Sequence, residues 1–208
     1  MDGVFMRKLI KWAGILTVFL MVLGYADLQV DVNRLQEDLI RLHVVAASDS
    51  EEDQQNKLMV RDAVVAYLEP ILANFSDKEQ AQAYLQEHLS ELTTLVNNVL
   101  SSLQTGQQGT VTLQEEEFNT RDYDTFSLPA GVYDSLRIEI GKAEGKNWWC
   151  VAFPSLCLPK TEEAFCATAT SAGFDSALSS TLTRQSGYEV RFFLLDCLGR
   201  LGNLFHKN

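Results

Sequence analysis

Cysteine is missing from the first 149 of 208 residues, and only Cys150, Cys157, Cys166 and Cys197 occur. Histidine is as scarce: His43, His88 and His206 lie far apart. With no C-x-x-C and no H-x-x-x-H, the ligand spacing of a structural zinc site is missing. No G-x-S-x-G is present, so serine hydrolysis has no support. No glycine-rich phosphate loop is present either, because Gly141 and Gly145 bracket a strand turn and do not open a helix. Basic residues number 17 against 28 acidic ones, for a formal net charge of −11. A surface of that sign repels nucleic acid, anionic lipid and anionic wall polymer at long range. With no basic stripe, nucleic-acid binding is excluded as a main function. No internal repeat is visible, and neither a cofactor nor a metal is expected.

The N-terminus has the layout of an export signal. Arg7, Lys8 and Lys11 form a basic flank, and Ala13 to Tyr25 is an uncharged, mostly apolar run. Gly24-Tyr25-Ala26 places small residues where a signal peptidase reads, just before Asp27. The apolar stretch is short for a span, which wants about 20 residues. The chain therefore divides into 1–26, a signal peptide or membrane anchor, and 27–208, an exported domain. Removing 1–26 takes away Asp2, Arg7, Lys8 and Lys11, which leaves 27 acidic and 14 basic side chains and a charge of −13.

Hydrophobic period organises the rest. Leu39 to Ala46 reads as a strand in which Ile40, Leu42 and Val44 alternate with Arg41, His43 and Val45. Ser50 is placed to cap a helix opening with Glu51, Glu52 and Asp53. That helix is expected to run to Glu69, with Pro70 marking its end. A second long helix is expected from Ser76, with Ser76 and Glu79 as a capping box, through Leu103. Thr110–Phe118, Leu136–Ile140 and Asn147–Phe153 read as strands. Residues 160–183 are rich in Ala, Ser and Thr, and 188–205 carry a helical apolar spacing. The expected fold class is α/β: one domain, a small sheet of about four strands, and helices packed on it.

Chemistry concentrates at Gly145–Cys157, which reads GKNWWCVAFPSLC. Adjacent tryptophans on a strand point to opposite faces, so Trp148 and Trp149 cannot both enter the same core layer. In an oxidising compartment the two cysteines favour a disulfide. Cys150–Cys157 is the preferred bridge, since Phe153-Pro154-Ser155 can turn the chain back. Cys166 and Cys197 are then a second bridge or two buried thiols. A thiol enzyme would need His43 as base to Cys150 or Cys157, but an ordinary half-exposed strand histidine is the plainer reading. Arg121 could clamp a carboxylate, although such an arginine more often pairs locally, here with Asp122 or Asp124. The best enzyme alternative is a secreted cell-wall hydrolase with Glu139 and Asp134 as its two carboxylates beside the tryptophans. Against it stands a binding surface, since tryptophan is a favoured interface anchor.

Three blocks give the chain a family resemblance. LIRLHVVAASDSEEDQQNKLMVRDAVVAYL resembles the N-terminal signature of stage II sporulation protein R. LPAGVYDSLRIEIG with GKNWWCVAFPSLC resembles that family's central signature, and YEVRFFLLDCL its C-terminal helix. The chain departs from it at Phe118-Asn119-Thr120-Arg121, where the family tends to read Phe-Pro-Thr-Arg, and residues 160–187 have no counterpart. The resemblance implies a signalling protein of endospore formers, exported from the forespore into the intermembrane space. Its implied partner is a membrane-embedded aspartic protease of the mother cell, which removes the pro-sequence of sigma factor E. It implies a ligand and activator with no catalysis of its own. The expected contact surface is Asn147, Trp148 and Trp149, with Arg61, Asp62 and Arg121 as second choices.

Overall fold

Six consecutive residues, Ile40–Val45, are buried, and this strand (β1) organises the molecule around it. A strand buried on both faces has to lie inside a covered sheet. A computed structural model of the protein describes residues 11–16, 19, 33, 36–123 and 127–154. The chain divides into two compact units, Met1–Leu35 and Gln36–Asn208. In the first, residues 11–16 are helical, and Trp12, Ile15, Leu16 and Phe19 are exposed. Among the described residues no helix is long and apolar enough to cross a membrane. Most of the expected signal segment lies outside the described residues, as do the segments 160–183 and 188–205.

In the second unit three helices come after β1: α1 (Glu51–Leu72), α2 (Lys78–Glu87) and α3 (Leu89–Ser102). Five strands come next: β2 (Gly109–Phe118), β3 (Arg121–Asp122), β4 (Ser127–Leu128), β5 (Gly131–Ile140) and β6 (Asn147–Phe153). The main sheet has the order β2-β5-β1-β6, and β3 pairs with β4 in a separate small ribbon. β1 is parallel to β5 and antiparallel to β6. A parallel pair needs a long crossover, and the three helices occupy it. Leu42, Val44, Leu136, Ile138 and Val111 meet Val60, Val64, Leu92 and Val96 in one apolar core. The α/β class and the four-stranded sheet are as expected.

Three helix boundaries differ from the periodicity reading. Pro70 lies inside α1, which continues to Leu72 because Leu68 and Leu72 are both buried. A proline in the last turn forfeits one hydrogen bond without breaking the remainder of that turn. The cap of α2 is Asp77, whose carboxylate accepts from the Gln80 N–H at 2.9 Å, so Ser76 and Glu79 form no capping box. The expected single helix from Ser76 to Leu103 is two, divided at His88. There the imidazole Nδ1 takes the Tyr84 carbonyl at 2.8 Å, and the ring stacks on Tyr84 at 3.9 Å. Ser50 caps α1 as expected, accepting from the Asp53 N–H at 3.1 Å.

Candidate functional site

The loop from Gly141 to Lys146 joins β5 to the edge strand β6, and it is stapled to the loop that joins β1 to α1. Gly145 N–H donates to the Ala46 carbonyl at 2.9 Å, and Glu144 N–H to that of Ala47 at 3.3 Å. Lys146 N–H donates to Asp49 Oδ1 at 2.7 Å. From the helix side, Lys57 Nζ donates to the Lys146 carbonyl at 3.0 Å and to Gln54 Oε1 at 2.7 Å. Gln54 in turn holds the Ser48 carbonyl at 2.8 Å. The Lys57 ammonium is buried, which pulls its pKa below the ordinary lysine range; Arg61 and Lys146 add to this and Asp49 opposes it. The Ser-Asp-Ser turn, the Asp-Gln pair after it and the Gly-Lys-Asn turn are thus one hydrogen-bonded corner.

β6 leaves this corner with its tryptophans on opposite faces, as strand geometry requires. Trp148 packs against the helix-side core with the Arg61 guanidinium over its ring at 4.8 Å. Trp149 lies on the other face, between the His43 ring (stacked, 5.6 Å) and the Arg121 guanidinium at 3.7 Å. Each tryptophan is half-buried, and each carries an arginine on its face.

The face away from the helices carries polar side chains, buried at Arg41, His43 and Ser135 and partly exposed toward β2 and the ends of β5 and β6. One chain of contacts crosses all four strands. Glu139 and Glu116 both hold Arg137, the first at 2.8 Å. Glu116 Oε1 accepts from His43 Nδ1 at 2.8 Å, and His43 Nε2 lies 2.9 Å from Asn147 Oδ1. His43 is therefore buried and doubly bonded, not the half-exposed residue its strand pattern suggested. Burial would raise the Glu116 carboxyl, but the hydrogen bond and charge of His43, with the charge of Arg137, outweigh this and hold it below the ordinary range. Beside this chain Arg41 is fully buried among Phe118 (4.3 Å) and Tyr133 (5.2 Å), bonded to Tyr123 Oη at 2.8 Å and the Cys150 carbonyl at 3.3 Å.

A family model described as stage II sporulation protein R matches residues 36–163, well over half of the chain. The chain belongs to that family. It is 27% identical over 185 residues to the stage II sporulation protein R of Bacillus subtilis (strain 168), over 80% of this chain and 83% of that relative. No solved structure matches. In this stage II sporulation protein R fold, the first block, Leu39–Leu68, and the central blocks as far as Phe153 meet at the stapled corner.

The six expected contact residues fall into two groups. Arg61, Asp62 and Trp148 lie on the helix side of β6, where Arg61 also pairs with Asp62 at 2.6 Å. Asn147, Trp149 and Arg121 lie on the other. Arg121 stacks on Trp149, a contact that local pairing with Asp122 or Asp124 did not anticipate. The enzyme readings lose their geometry. Asp134 faces the helices and pairs with Lys78 at 2.7 Å, whereas Glu139 is on the opposite face with Arg137. Two carboxylates on opposite faces of one sheet cannot flank a glycosidic bond. Cys150 is disulfide-bonded and lies in the helix-side core, across the sheet from His43, so no thiol–imidazole pair forms between them. Cys157, Cys166 and Cys197 lie outside the described residues, and the pairing with Cys157 with them. Among the described residues no group of three His, Cys, Asp or Glu side chains could hold a metal.

The polar chain predicts an acid response. A carboxyl whose folded pKa is lowered contributes stability that is complete above its ordinary range and lost as pH falls through the folded value. Glu116→Gln is therefore expected to weaken the fold at pH 7 and to flatten the loss of stability between about pH 5 and 3. Thermal unfolding of both chains across that range checks it; parallel profiles would remove Glu116 from the acid response.

Proposed function

We propose that this chain is an exported sporulation signal that binds the extracytoplasmic face of a membrane-embedded aspartic protease in the mother cell. Binding biases the protease toward its active state, and pro-sigma-E is then processed. The chain acts as a ligand and performs no step of the cleavage. The observation that carries this reading is the pair of half-buried tryptophans at the stapled corner, each under an arginine. Trp and Arg are the residue types that dominate binding hot spots. With Trp149 held by His43 and Arg121, and Trp148 by the helix-side core and Arg61, both lose little conformational freedom when a partner covers them. Family membership supports the sporulation setting.

Co-expression of the chain, the candidate protease and its sigma-factor substrate in a naive host tests the reading directly. Cleavage is expected only when the chain is present; cleavage that is independent of it, or absent with it, would sink the proposal. In the same assay Arg121→Ala strips the outer layer of the Trp149 stack and is expected to lower processing at least about tenfold, the effect of a hot-spot truncation. Trp149→Ala is expected to abolish processing. Unchanged processing in both variants would move the contact surface away from this face of β6.

A further inference from the structure

The main sheet has two edges, and β2 forms the one far from the tryptophans. Two contacts at its start determine which of its backbone groups face outward. The Gln108 carbonyl accepts from the Gly141 N–H at 2.8 Å, so even-numbered residues face β5. Gly109 instead exchanges both of its groups with the Asn97 side-chain amide, each at 3.0 Å, so odd-numbered residues face outward. β2 then pairs with β5 in unbroken register from Gly109 to Phe118. Val111, Leu113, Glu115 and Glu117 accordingly point their N–H and C=O groups away from the sheet.

Asn97 satisfies the first of these positions, and Val111 is buried. Leu113, Glu115 and Glu117 come after them with no backbone partner on that side among the described residues. Edges of this kind are normally blunted by charged side chains (lysine above all), proline, a bulge or a covering element. β2 has no proline or lysine and no register shift over this stretch. What it has is charge. Glu115 and Glu117 are exposed and make no ion pair among the described residues, while Glu116, on the other face, is committed to His43 and Arg137.

That charge selects the occupant. A second copy pairing antiparallel about Glu115 would oppose glutamate to glutamate, and like charges directly across a ladder are destabilising. A strand with lysine or arginine at alternate positions would complete the ladder and neutralise both carboxylates. We propose that the outer edge of β2, from Leu113 to Glu117, is a strand-addition site for an extended, basic segment of a partner protein. The site goes beyond the tryptophan corner: it lies on the opposite edge, about three strand spacings or roughly 14 Å away. It can be tested without the protease.

The probe is a synthetic eight-residue peptide alternating Lys and Thr, with a Glu–Thr peptide as control, added to the full-length chain. Hydrogen–deuterium exchange is read at single amides. In the free chain the Leu113, Glu115 and Glu117 amides are expected to exchange at least tenfold faster than those of Thr112, Gln114 and Glu116. The Lys–Thr peptide should slow the first set at low salt, and the Glu–Thr peptide should not. Glu115→Pro and Glu115→Gln carry the same net charge, but only the proline lacks the outward N–H. The proline variant is expected to bind the Lys–Thr peptide at least tenfold more weakly than the glutamine variant. Equal binding by the two would overturn the proposal. So would exchange at Leu113, Glu115 and Glu117 that the peptide leaves unchanged, a measurement that does not depend on any variant folding.

Discussion

Arg41→Ala is expected to lower the unfolding free energy by about 3–5 kcal/mol, the range for emptying a large buried site and breaking its hydrogen bonds. The guanidinium has no carboxylate partner among the described residues. Burial pulls its pKa down, while Tyr123 and Tyr133 oppose that shift. An arginine nevertheless stays charged, because its ordinary value is so far above neutrality. What offsets the cost is the ring face of Phe118 at 4.3 Å, that of Tyr133 at 5.2 Å, and two hydrogen bonds. Alanine removes all of these and leaves a void in the middle of the sheet's second layer. Arg41→Met fills most of the same volume with no charge to desolvate, and should stay within about 1.5 kcal/mol of the unsubstituted chain. Urea denaturation of the three proteins separates the cases. Equal losses for Ala and Met would mean that the guanidinium's own bonds, and not its volume, hold the layer.

Gly145→Ala is the second large effect. A Cβ at this position would overlap the Ser48 carbonyl oxygen and lie 2.5 Å from its carbon. Both are backbone atoms, so no rotamer change relieves the contact. The loop must retreat, and in retreating it lengthens the Gly145-to-Ala46 hydrogen bond and draws Lys146 from Asp49 and Lys57. The expected loss is about 3 kcal/mol, at the upper end for overpacking, or a melting temperature lower by roughly 6–12 °C for a chain of this size. Lys142→Ala, on an exposed residue of the same loop, should stay within about 0.5 kcal/mol. Thermal unfolding, with limited proteolysis of the 141–147 loop, gives the answer. A Gly145→Ala chain as stable and as protease-resistant as the parent would show that the two loops are not stapled.

Much of this is legible in the residues. Strand parity places Trp148 and Trp149 on opposite faces, and the bounds Asn147–Phe153 are those of β6. Ser50 ahead of three carboxylates marks the start of α1 because capping is a local interaction. The opposite faces of Asp134 and Glu139 emerge only with the structure, because the strand expected from Leu136 left Asp134 outside it and β5 in fact begins at Gly131. The burial of His43 is not legible. Its partners Glu116 and Asn147 stand 73 and 104 residues away, and no local pattern reports a carboxylate delivered by a distant strand. The break at His88 is hidden for a related reason: the apolar spacing of four and three runs on through it, and only the ring's contact with the Tyr84 carbonyl shows where the helix stops. Sequence distance favours a neighbouring acid for Arg121, whereas the aromatic face of Trp149 comes from across the fold.

The place of β1 at the centre of the sheet has a consequence for how the chain comes into being. β1 ends at Val45, while β5 and β6, its two neighbours, begin at Gly131 and Asn147. The strand that everything else packs around is therefore made first and completed last. At about 5–20 residues per second of synthesis, its partners arrive roughly 5–20 s after it. Helices α1 to α3 can form in that interval, but their apolar faces have no finished sheet to rest on. The sheet cannot close until β5 and then the edge strand β6 have been made, and until then β1 has no neighbour to pair with.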